Sequence, residues 1–199
     1  LRLIDEVRKG AGVEVIVALK ANATWHLFAT LKEHSDGATA SSLSEAKLVE
    51  EKMGERVHTY APVYVEEEIE ELLKCSSHIT FNSLAQYERY GARARSLGVS
   101  CGLRVNPEHS TVATDLYNPC APGSRLGILA KDLPTTLPND IEGLHFHTLC
   151  ESDSTDLEKT IAAFEERFAN WIPQVKWVNM GGGHLMTRKG YNIELLINI

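Results

Sequence analysis

What this chain can fold into is constrained above all by one alternation along its 199 residues. Short runs of apolar and β-branched residues are each followed by a longer stretch with helical spacing. Residues 13–19 (VEVIVAL) are apolar apart from Glu14, the mark of a strand buried on both faces. A helix over 24–34 follows, with Leu27, Phe28 and Leu31 as its apolar side. Then come a weak strand at 37–40 and a helix to Met53 that Ser42 or Ser44 can cap. Further strands are expected at 56–61, 78–81, 100–105, 141–147 and 175–179. Helices are expected at 66–74, 84–97, 157–171 and 191–197, and an amphipathic helix is already under way at Leu1. Residues 106–124, with three prolines, form the longest irregular stretch.

Strands alternating with helices imply a parallel sheet with helical crossovers. Seven such units in series, at strand spacings of roughly 20 to 40 residues, fit a (β/α)8 TIM-type barrel better than an open doubly wound sheet. A complete barrel takes about 250 residues, so about seven strands are present and the barrel is incomplete. Unclosed, it would leave two raw parallel edges. The expectation is that residues 1–199 are a portion of one barrel domain of a longer protein, with no second domain.

Composition narrows the partners. Twenty Lys and Arg against 27 Asp and Glu give a net charge of -7 and leave no basic stripe for nucleic acid. No apolar run approaches the roughly 20 residues of a membrane helix, and no signal peptide opens the sequence. The four cysteines, Cys75, Cys101, Cys120 and Cys150, are scattered without a CxxC pair, which points to reduced thiols and a cytoplasmic location.

In such barrels functional groups collect at the carboxyl ends of the strands. Those ends carry Lys20, Thr39, Tyr60, Asn82, Arg104, His147 and the run Gly181-Gly182-Gly183. A lysine among apolar walls is desolvated, which lowers its pKa and frees the neutral amine needed to condense with a carbonyl. Against this stands an ordinary strand-end lysine snorkelling to solvent. Three glycines after the seventh strand let the backbone approach an anion and aim N–H groups at it, unless they are only a flexible turn. His145 and His147, two apart on a strand, face the same way. They suit a zinc site with Cys150 and Glu151, or a His147 stacked on an aromatic ligand above a packed His145, or two buried hydrogen-bonded histidines. Arg104 brings positive charge to the site or forms a structural ion pair.

Several segments together resemble the alanine-racemase-like, fold-type III pyridoxal-phosphate enzymes, which include ornithine and diaminopimelate decarboxylases. They are Ala18-Leu19-Lys20-Ala21, Gly102-Leu103-Arg104-Val105-Asn106-Pro107, Gly123-Ser124-Arg125-Leu126-Gly127, Gly143-Leu144-His145-Phe146-His147 and Asn179-Met180-Gly181-Gly182-Gly183. Within that group the chain is most similar to the carboxynorspermidine (carboxyspermidine) decarboxylases. This rests on Ala38-Thr39-Ala40-Ser41-Ser42, on Phe146-His147 followed by Cys150-Glu151, and on Trp177 leading into the glycine run. The likeness spans nearly the whole chain in order and displaces the zinc reading.

The resemblance implies pyridoxal 5'-phosphate as cofactor and a small carboxypolyamine as substrate, in polyamine biosynthesis. Lys20 matches the lysine that holds the cofactor and handles the proton at the substrate α-carbon. His147 matches the histidine against the pyridine ring, and Gly181, Gly182 and Gly183 match the phosphate glycines. Arg104 matches an arginine of the cofactor pocket, and Cys150 and Glu151 lie in the substrate or phosphate vicinity. Thr39 stands where ornithine decarboxylase-type enzymes have an aspartate. The family's eighth strand, with its glutamate for the pyridine nitrogen, and its β-rich domain at a homodimer interface have no counterpart here, so these residues alone are expected to be inactive. A non-catalytic pyridoxal-phosphate carrier and another amino-acid decarboxylase of the same fold type are the competing readings.

Overall fold

The computed structural model describes all 199 residues. Its elements are α1 (Arg2–Ala11), β1 (Val17–Ala18), α2 (Phe28–Lys32), β2 (Ala38–Ala40), α3 (Leu43–Met53), β3 (Val57–Tyr60), α4 (Ile69–Lys74), β4 (Ser76–Phe81), α5 (Leu84–Ser96), β5 (Ser100–Arg104), β6 (Ile141–His145), α6 (Ser154–Phe168), β7 (Trp177–Asn179) and α7 (Ile193–Asn198). The strands succeed one another in chain order, and the neighbouring pairs β1–β2, β2–β3, β3–β4 and β6–β7 are parallel. This is the α/β topology expected of seven successive units of a (β/α)8 barrel.

The chain divides into two compact units, Leu1–Phe81 with Ala85–Cys101, and Asn82–Leu84 with Gly102–Ile199. In the first, apolar residues of β3 and β4 bury against helices α3 and α4: Val49, Val57, Ile69, Leu73, Ile79 and Phe81 are fully buried. Tyr64 packs edge-on to Phe81 and Tyr90, and its hydroxyl donates to Thr80 O at 2.7 Å. Ser42 caps α3, accepting from the Glu45 amide, while Gly54 in the left-handed region ends it.

Three expectations need correction here. Only Val17 and Ala18 of residues 13–19 pair as a strand, and Val13 is 42% exposed. β1 pairs with β2 and has no other partner in the chain, so the run's hydrophobicity overstated its burial. β4 begins at Ser76 rather than His78, because Ser76 Oγ finds Leu72 O and Thr59 Oγ1 and can be buried without a lost hydrogen bond. α6 begins three residues earlier than its apolar spacing indicated, since Asp153 and Asp156 form a reciprocal capping box.

In the second unit a run of rings, Phe146, Phe164, Phe168 and Trp171, links β6 to α6 at centroid distances of 4.9, 5.4 and 5.8 Å. On the opposite face of β6, Trp177 of β7 lies over Gly143 and over Gly102 of β5; a Cβ at either position would fall inside its indole. Gly143→Ala is therefore expected to destabilise the fold by about 1–3 kcal/mol through overpacking. Urea unfolding measures it, and an unchanged midpoint would contradict the packing.

His58 and His78 stack at 3.9 Å on neighbouring strands β3 and β4. Burial, and then the His78 ring, push the His58 pKa from 6.5 to about 4. Between those pH values the unfolded chain takes up a proton at His58 that the folded chain refuses, so stability falls as pH falls from 6.5 to about 4. Unfolding midpoints across that window should show this slope, and His58→Asn should flatten it.

Candidate active site

Lys20 lies in a turn directly after β1, closed by the Ala21 and Asn22 amides on Ala18 O at 3.0 and 3.1 Å. Leu19 beside it is buried, which anchors the turn, but Lys20 itself is exposed. The expected apolar wall around its amine is not there. Thr39, half-buried, pairs in register with Ala18 and His58. Both residues belong to the first unit.

The other expected residues gather within the second unit at the carboxyl ends of β5, β6 and β7. Arg104 closes β5, only 4% exposed, and donates from Nη2 to His147 O at 3.0 Å. It braces the backbone of His147 instead of offering open charge. Val105 N bonds to His145 O, which holds the ends of β5 and β6 together.

β7 ends at Asn179, and the chain then folds over β6. Gly181 and Gly183 have φ of +73° and +109°. A Cβ on Gly181 would lie 2.6 Å from His147 Nδ1, and one on Gly183 2.7 Å from Leu149 C. Glycine is required at both by conformation and by space. At Gly182 nothing stands within 4 Å of a Cβ. Two of the loop's amides are committed within the protein: Gly181 N donates to Asn179 Oδ1 at 2.8 Å and Gly182 N to His147 Nδ1 at 3.1 Å. The amides of Gly183 and His184 are the uncommitted donors.

These bonds assign protons. Because Gly182 N–H can only donate, His147 Nδ1 accepts, and the neutral ring carries its hydrogen on Nε2. His145 is the opposite case. Its Nδ1 lies 3.0 Å from both Asn179 O and Asn179 Oδ1. It is buried, and desolvation, then Arg104 and His147, push its pKa down to about 3.

His145 Nδ1 is taken, the two rings sit 6.3 Å apart, and no group of three His, Cys, Asp or Glu side chains is placed to hold a metal ion. Cys150 and Glu151 are exposed, Glu151 at φ +52°, with Arg188 3.6 Å from its carboxylate. They line a cavity of about 550 Å³ together with Thr111, Thr114, Tyr117 and Asp156.

Asn82 stood among the strand-end residues without a role, and Asn179 was missed as a site residue. Asn82 receives the Gly127 amide and donates to Arg125 O, fixing the Gly123–Gly127 segment. Asn179 anchors the glycine run; its place just before three glycines was the available signal.

Parallel strand–helix units in series, with a lysine after the first strand and a braced histidine and glycine loop after the sixth and seventh, make up a portion of a (β/α) barrel fold. No family model matches the chain. Among known proteins it is 46% identical over all 199 residues to carboxyaminopropylagmatine decarboxylase of Synechocystis sp., covering 51% of that protein. It is 46% identical over 195 residues (98% of this chain) to carboxynorspermidine/carboxyspermidine decarboxylase of Campylobacter jejuni, covering 50% of it. The crystal structure of Campylobacter jejuni carboxynorspermidine decarboxylase complexed with norspermidine superposes with a TM-score of 0.90 at 43% identity, over 99% of this chain and 50% of that one. A diaminopimelate decarboxylase shares the fold at TM-score 0.76 and 19% identity, over 99% of this chain and 51% of that one. The resemblance read from the motifs is thus borne out, and the chain spans about half the length of the relatives it matches. No helix is long and apolar enough to cross a membrane.

Of the three glycines, Gly183→Ala should lower the unfolding midpoint, since its Cβ meets the Leu149 carbonyl group. Gly182→Ala should leave the midpoint unchanged. Thermal denaturation of both variants decides whether the loop is as tightly seated as its contacts imply.

Proposed function

We propose that the natural protein carrying this sequence is a pyridoxal-phosphate-dependent decarboxylase of a carboxylated polyamine, carboxynorspermidine or carboxyspermidine. The observation that carries the proposal is 46% identity over 98% of the chain to a carboxynorspermidine/carboxyspermidine decarboxylase. The glycine loop supports it: two glycines without room for a side chain, one facing open space, and uncommitted amides after them form a cradle for a phosphate. The residues fit the cofactor.

Lys20 supplies the amine for the cofactor's aldehyde, and its exposure after β1 leaves that amine accessible. In turnover it is the group that carries a proton at the substrate's α-carbon. His147, neutral and with Nδ1 fixed by Gly182, presents a ring of set orientation for the pyridine face. Arg104 holds that ring's backbone, Gly181 and Gly182 shape the loop, and the amides of Gly183 and His184 receive the phosphate. Cys150 and Glu151 stand beside the same loop, where the Ser152 amide bonds to Gly183 O. When bound, pyridoxal phosphate supplies the electron sink that accepts the pair left by departing carbon dioxide. Homodimeric assembly and a cytoplasmic location belong to the same proposal.

One relative of equal identity acts, by its name, on carboxyaminopropylagmatine, whose far end is a guanidine where a polyamine has an amine. That favours a second reading of the substrate within one reaction. Borohydride treatment of the natural full-length polypeptide, followed by peptide mapping, should place a pyridoxyl group on Lys20. Carbon dioxide release from carboxynorspermidine, carboxyspermidine and carboxyaminopropylagmatine then ranks the substrates. A colourless protein that traps no pyridoxyl group would sink the proposal.

A further inference from the structure

We infer that Asn179 and His145 are positioning residues for the phosphate-binding loop, acting through one oxygen that accepts both the Gly181 amide and the His145 Nδ1 hydrogen. The inference rests on the proposed cofactor. It adds two residues that act through the loop's backbone.

The argument begins with donors and acceptors. The Gly181 amide, 2.8 Å from the Asn179 side chain, can only donate, so the atom it meets is the amide oxygen and not the nitrogen. His145 Nδ1 lies 3.0 Å from that same oxygen and 3.0 Å from Asn179 O, both acceptors. Nδ1 must therefore carry the ring's hydrogen and share it between them. The groups facing this ring are Arg104 from β5 and His147 from the end of β6, and each opposes a positive charge there. His145 is thus a fixed neutral donor.

Its effect reaches the loop through geometry. Asn179 O also accepts the Phe146 amide, so the residue is tied to β6 by backbone and side chain at once. Gly181 turns off this anchor at φ +73°, Gly182 bonds to His147, and Gly183 seats on Leu149. Each amide's direction follows from the one before. Freeing Asn179 Oδ1 from His145 would let the first turn rotate and would misdirect the uncommitted amides of Gly183 and His184.

The test uses the natural full-length polypeptide and does not depend on turnover. In protein with ¹⁵N-labelled histidine, the His145 ring should be neutral with its hydrogen on Nδ1 throughout the range pH 5 to 8. A hydrogen on Nε2, or an imidazolium at pH 6, would overturn the inference. Pyridoxal phosphate titrated into cofactor-free protein gives the second reading. Asn179→Ala and His145→Leu should weaken its binding about tenfold, the scale of one lost, oriented hydrogen bond. His145→Asn places an amide nitrogen where Nδ1 was and should bind within about threefold of the parent.

Equal losses for His145→Leu and His145→Asn at equal thermal midpoints would mean the ring only fills space, and would refute the tether. So would parent-like affinity in Asn179→Ala. A parent that binds no pyridoxal phosphate defeats the proposed function instead, while the location of the ring hydrogen still tests the tether by itself.

Discussion

The second unit depends on how closely the chain leaving β7 lies against the end of β6. Two backbones can approach this nearly only where side chains are absent. The sequence has glycine at Gly143 and Gly102 under the Trp177 indole, and at Gly181 and Gly183 over His147 and Leu149. Everything chemically distinctive about this end follows from that approach. The ring of His147 meets a backbone amide, Arg104 reaches the His147 carbonyl, and the loop amides that remain are aimed by contacts rather than left to wander. A larger residue at any of these four glycines would strain this close packing.

Such a site is built largely from backbone groups, with side chains as braces. The two histidines illustrate the economy. They sit two residues apart and face the same way, yet carry their hydrogens on opposite nitrogens, because one meets an amide hydrogen and the other an amide oxygen. Their environments also differ: His145 is buried beside a guanidinium and held neutral, while His147 is half-exposed and can present a face to a ligand. Position on the strand therefore does not assign function. The partner of the ring nitrogen does.

Much of the fold was legible because its signals are local. Strand and helix order and the loop over 106–124 depend on periodicity and on backbone preference, and they stand as expected. Boundaries were less so. The start of α6 was set by an aspartate pair and that of β4 by two serine hydroxyl contacts, neither of which apolar spacing reports. The extent of β1 was misjudged because hydrophobic runs record affinity for a core, not the number of strands available to pair with.

For the candidate site, the sequence by itself determined which residue types stand at the strand ends: a lysine after β1, an arginine closing β5, histidines at and just past the end of β6 and three glycines after β7. Ordered motifs of this kind also sufficed to point to the decarboxylases that the comparisons then matched. Only the tertiary structure decided what those residues do to one another. It turned Arg104 inward to a carbonyl, committed two of the three glycine amides and brought Asn179 into the arrangement. The physical reason is that hydrogen bonding is directional and short-ranged. Whether a donor meets its acceptor depends on tenths of an ångström between chain segments some 35 residues apart in sequence, such as His145 and Asn179, and residue identity alone does not carry that information.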